Sequence, residues 1–109
     1  MQVVGRMLQQ SYDRDFAGII SAYRTLPSTL QNSPIGFSHL VNAVFSIEAT
    51  DSPMYRETTA RMADIWSRRD YALAYWQRID AHRRGDEPAE TRARDRLIEL
   101  LDDYELLER

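Results

Sequence analysis

The chain has 109 residues, a formal charge of −3 and no cysteine. That length suits one domain of limited core, the charge gives no general basic footprint for nucleic acid, and the missing thiols exclude disulfides, thiolate metal sites and a Cys nucleophile. No run approaches the ~20 apolar residues that span a bilayer, and the opening "MQVVGRMLQQSYDRDF" lacks the apolar core of a signal peptide. A soluble, cytoplasmic protein is expected. All 14 basic residues are Arg, a chain-wide bias that singles out no site.

Turn formers punctuate the sequence at "LPSTLQNSPIG", "TDSP" and "RGDEP". Helical periodicity fills the intervals and strand alternation does not. The expectation is a single all-α domain over 1–109, a small bundle of about four helices.

The first helix is expected over 3–26. Val4, Met7 and Leu8 share one side, whereas Tyr12, Phe16, Ile19, Tyr23 and Leu26 form a rotated stripe. The rotation places a kink near "SYDRD", where Ser11 or Asp13 can cap a new helix. Gly18 costs about 1 kcal/mol against Ala within a helix, and close packing on a neighbouring helix is the expected reason for it.

The second helix is short, from 34 or 37 to 49, with Ser33 as cap and Pro34 in the first turn. Phe37, Leu40, Val41, Val44, Phe45 and Ile47 cover more than half its circumference, which makes it the most buried. Glu48 falls on its apolar face.

The third helix is read as continuous from Ser52–Pro53 to Arg84, with Gly85 as its C-terminal cap. At 1.5 Å per residue it would span roughly 45–50 Å. Tyr55, Met62, Ile65, Trp66, Leu73 and Trp76 form its main stripe, and Arg69 sits within it. The fourth helix runs from 86–88 to the end, with Ala93, Leu97, Leu100, Leu101, Tyr104 and Leu107 as its stripe; Ile98 and Leu106 fall outside it. The short "RGDEP" link predicts an antiparallel hairpin of the third and fourth helices. Acids near the chain end, among them Asp102, Asp103, Glu105 and Glu108, would then lie beside Arg56 and Arg61.

Catalytic groups are sparse. His39 and His82 form no His–Glu metal motif, the glycines form no phosphate loop, and Ser38 beside His39 is no dyad because adjacent helix residues diverge. No cofactor and no metal site is expected. Glu48 and Arg69 are charged residues on apolar faces. They either pair across helices or escape to solvent. An enzymatic alternative makes Glu48 an acid or base and Arg69 an anion holder.

Nucleic-acid-associated regulation through the Arg-rich third helix is the first alternative, ahead of the enzyme. Against it, Asp64, Asp70 and Asp80 interrupt the basic stripe and the last helix is acidic.

The third helix has a second aromatic face. Trp66, Leu73 and Trp76 lie within about 80° on a 3.6-residue period, but Tyr71 and Tyr75 lie far round from them. Either a central helix touches neighbours on more than one side, or the Tyr face is exposed and binds another protein. Tyr and Arg are enriched at interface hot spots, so Arg68, Tyr71, Tyr75 and Arg78 form the candidate partner-binding patch. A helix too long for its neighbours to cover favours a second copy, and a twofold homodimer is the simplest case. The expected function is therefore a non-enzymatic protein–protein interaction module: an adaptor, an assembly subunit or a small inhibitor, a role that suits phage-encoded or accessory regulatory proteins.

Overall fold

The computed structural model describes residues 5–7, 9–10, 13–67 and 70–108, with side chains as far as residue 102. Among the described residues the fold is all-helical, with no strand. Residues 5–7 and 9–10 are helical, and six further helices follow: α1 (Phe16–Arg24), α2 (Ser28–Gln31), α3 (Pro34–Ile47), α4 (Pro53–Ile65), α5 (Tyr71–Arg84) and α6 (Glu87–Glu108). None is long and apolar enough to cross a membrane. The contacts group into two compact units, Met1–Arg61 and Met62–Arg109.

In the first unit the chain breaks where the apolar stripe rotates. Residues 13–14 form a turn, and Arg14 takes a positive φ of 55°. Asp15 rather than Ser11 or Asp13 caps the helix that follows: its carboxylate accepts the Gly18 N–H at 3.0 Å. Gly18 lies against that cap: a β-carbon there would meet the Asp15 carboxylate and the amide of Gln10, a residue of the preceding helical stretch, so both side chains would have to shift.

The turn-rich stretch after α1 contains the one-turn helix α2. Ser33 then accepts the Gly36 N–H at 3.1 Å and Pro34 opens α3, as the Ser–Pro pair predicts. α1 and α2 both pack on α3. Ile19, Tyr23, Leu26, Phe37, Leu40, Val41, Val44 and Phe45 are buried, so most of the apolar circumference of α3 lies in the core; Ile47, counted with it, is exposed. Ser52 accepts the Tyr55 N–H at 3.0 Å and starts α4. Long side chains fasten α4 to this unit, beginning with Tyr55, which stacks on Phe45 with ring centroids 4.6 Å apart.

The continuous third helix is the main correction. α4 ends at Ile65, and Trp66, Ser67 and Asp70 lie outside helix. The Asp70 N–H bonds to the Ser67 carbonyl at 2.9 Å. The Asp70 carboxylate accepts the Ala72 N–H at 3.0 Å and caps a new helix, α5. Ser and Asp offer the backbone side-chain partners that end or start helices, and this local chemistry overrides the apolar period running through it. Trp66 and Trp76 therefore do not share one helix.

In the second unit, Gly85 ends α5 in the left-handed conformation, φ 70° and ψ 22°. Its N–H and that of Asp86 return to carbonyls of the last turn, Asp86 to Ala81 at 2.9 Å. Asp86 in turn accepts the Ala89 N–H at 3.1 Å and caps α6. Two residues thus close one helix and open the next, and α5 and α6 pack on each other. Ala74, Leu97 and Leu100 form their shared apolar cluster. Leu101, expected in the stripe, is exposed.

Gly36 provides a test of the packing of α2 on α3. A β-carbon there would overlap the Leu30 carbonyl oxygen, a backbone atom that cannot step aside. Gly36→Ala should cost about 1–3 kcal/mol in urea unfolding, as overpacking does. Gly85→Ala, which meets no atom but keeps a positive φ, should cost about 1 kcal/mol. A neutral Gly36→Ala variant would contradict the close approach.

Candidate functional site

Two places hold polar or aromatic groups in arrangements beyond simple core packing. The first is the patch read from the sequence. Tyr71 and Tyr75 lie one turn apart on α5 with rings nearly parallel, centroids 5.9 Å apart and planes 20° apart. They remain 37% and 40% exposed. Tyr75 also meets the half-buried Trp76 edge-on, at 5.1 Å and 88°. Each ring therefore has one supported side and one wet side. Arg78 follows one turn on and is exposed. Arg68 lies outside the described residues.

The second place was not legible from periodicity. On α4, the Arg61 guanidinium donates from Nη2 to the Tyr23 hydroxyl at 3.1 Å and to Asn32 Oδ1 at 3.0 Å. The same cation lies 5.0 Å from the centroid of the Phe37 ring, inside the ~6 Å range of cation–π attraction. The Tyr23 hydroxyl donates to the Gln31 carbonyl at 2.6 Å, and the Gln31 side-chain amide donates to the Tyr23 carbonyl at 3.1 Å. This network borders a pocket of about 190 Å³ in the first unit. Ile20, Leu40 and Met54 give its apolar lining; Arg24, Glu57 and Arg61 give its charges. The only sequence signal for it was a cluster of turn residues beside α3.

The other candidates are dispersed. Glu48 is the residue that ends α3, in extended conformation (φ −98°, ψ 144°), so it does not stand on the helix face. Arg69 lies outside the described residues. His82 pairs through Nδ1 with Glu90 at 3.2 Å, joining α5 to α6. Ser38 donates to the Ile35 carbonyl at 2.6 Å within its own helix. Asp80, almost fully buried, is bound by Arg84 at 2.9 Å. Among the described residues no group of three or more His, Asp or Glu could hold a metal ion.

His39 is half-buried on α3, and burial lowers its pKa from the ordinary 6.5. Desolvation disfavours the cation, so the unfolded chain takes up this proton first. The His39 contribution to stability is present above pH 6.5 and is lost as pH falls toward the lower folded value. Urea midpoints measured from roughly pH 7.5 down to 5.5 should fall in the parent protein, and less in His39→Gln. Equal slopes would contradict the burial of His39.

Comparison of the chain with protein-family models, curated proteins and solved structures finds no match.

Proposed function

We propose that the chain is a non-enzymatic protein–protein interaction module, an adaptor, assembly subunit or small inhibitor of a larger protein. The observation that carries this reading is the stacked, half-exposed Tyr71–Tyr75 pair on α5. Tyr offers a large contact area at small entropic cost, because it has only two side-chain torsions. Stacking of one ring on the other restricts them further, so less freedom remains to be lost on binding. Exposed Arg78 extends the patch with a planar donor group, and Arg68 completes the patch in this proposal. Ile98 and Leu101 on α6 add exposed apolar surface to the same unit.

The partner is another protein or a second copy of the chain. The division of the expected long helix removes the argument from uncovered length that favoured a homodimer. The twofold dimer stays in the proposal only as the commonest closed assembly. A cysteine-free module of this kind suits a reducing compartment such as the cytoplasm, and a phage-encoded or accessory regulator is the class of role proposed. Nucleic acid is the weaker partner, since Arg84 on α5 is already held by Asp80 and Asp86.

The double variant Tyr71→Ala/Tyr75→Ala tests this reading. Circular dichroism and the urea midpoint should remain near those of the parent. Solution mass by light scattering, followed over a concentration series, or binding to an identified partner, should show association at least about tenfold weaker, as loss of a hot spot does. A variant that unfolds would place the tyrosines in the core, and a folded variant that associates as the parent does would remove the patch.

A further inference from the structure

The pocket of the first unit is built around an ion pair that does not form. Glu57 precedes Arg61 by four residues on α4, the order in which an acid and a base pair best along a helix. No ion pair joins them among the described residues. Arg61 is turned away into the neutral acceptors Tyr23 and Asn32 and over the Phe37 ring. Both hydrogens of its Nη2 are spent there. A guanidinium carries five N–H donors, so three remain without a protein acceptor among the described residues. Arg24, on the same pocket wall, has no carboxylate partner among them either.

The pocket therefore presents two cations and one anion over an apolar base, in which Ile20 and Leu40 are buried. Its volume of about 190 Å³ equals roughly six waters at ~30 Å³ each. This is below the ~300–1,000 Å³ of sites for drug-sized ligands. Two wall residues are tied to the backbone: Gln31 to the carbonyls of Tyr23 and Arg24 at 3.1 and 3.4 Å, and Thr58 to that of Met54 at 2.8 Å. A simple anion would meet Glu57, and a simple cation would meet Arg24 and Arg61.

We infer that this pocket binds a small zwitterion with an apolar tail, a free α-amino acid of the size of leucine. Its carboxylate pairs with Arg61 beside Arg24, its ammonium with Glu57, and its side chain lies on Ile20, Leu40 and Met54. The pocket shares no residue with the Tyr71–Tyr75 patch.

The full chain, labelled for NMR, tests this with three probes: L-leucine, 4-methylpentanoate, which lacks the amine, and 3-methylbutylamine, which lacks the carboxylate. L-leucine should shift the amide signals of Tyr23, Leu40, Glu57 and Arg61 saturably. Each analogue should bind at least about tenfold more weakly, the scale of one charged hydrogen bond. Glu57→Gln changes an exposed residue, should fold as the parent does, and should abolish the preference for L-leucine over 4-methylpentanoate. Absence of saturable shifts with L-leucine would overturn the inference. So would an amine that binds as well as L-leucine, or a Glu57→Gln variant that keeps the preference.

Discussion

Arg61 holds its charge against neutral partners, and the first unit is organised around that contact. Its two hydrogen bonds reach Tyr23 on α1 and Asn32 just after α2, and its cationic face meets Phe37 on α3. One side chain of α4 thus touches every preceding segment from residue 16 onward. A half-buried charge without partners would be costly; here the hydroxyl, the amide oxygen and the ring supply partial negative charge without a carboxylate. The same choice leaves Glu57 and Arg24 exposed at the pocket wall. The packing of the first unit and the proposed ligand site therefore share one interaction.

The network also explains why a short, unpromising stretch is ordered. "STLQNS" has little apolar surface of its own, and a one-turn helix has no stability in isolation. Tyr23 and Gln31 exchange bonds across it, Asn32 receives Arg61, and the Gly36 backbone fits against the Leu30 carbonyl. The second unit is held differently. α5 and α6 are joined through Gly85 and Asp86, capped by their own neighbours and packed through Ala74, Leu97 and Leu100. Its links are local, so the hairpin can form with little loop-closure cost. It can hold exposed tyrosines because its cluster does not use them.

The local chemistry of the chain was legible in its sequence. Ser33–Pro34 and Ser52–Pro53 start helices, Gly85 ends one, and the break near "SYDRD" lies where the apolar stripe turns, because each of these signals acts within a few residues. The angular distance of Tyr71 and Tyr75 from the stripe marked a second face but left open whether it was buried or exposed; the structure leaves both rings partly exposed. The division of the third helix was obscured because Met62, Ile65, Trp66 and Leu73 keep a helical period straight through Ser67 and Asp70, and capping won over periodicity. Arg61 was hidden for another reason. Its partners lie 38 and 29 residues away, and no spacing rule links residues brought together by tertiary packing.

The most direct test of the Arg61 network is a double-mutant cycle on urea unfolding with Arg61→Met, Tyr23→Phe and the pair. Non-additive losses are expected, with a coupling of about 0.5–3 kcal/mol for residues in one hydrogen-bonded network. Losses that add within about 0.3–0.5 kcal/mol, the behaviour of independent sites, would contradict a first unit organised around Arg61.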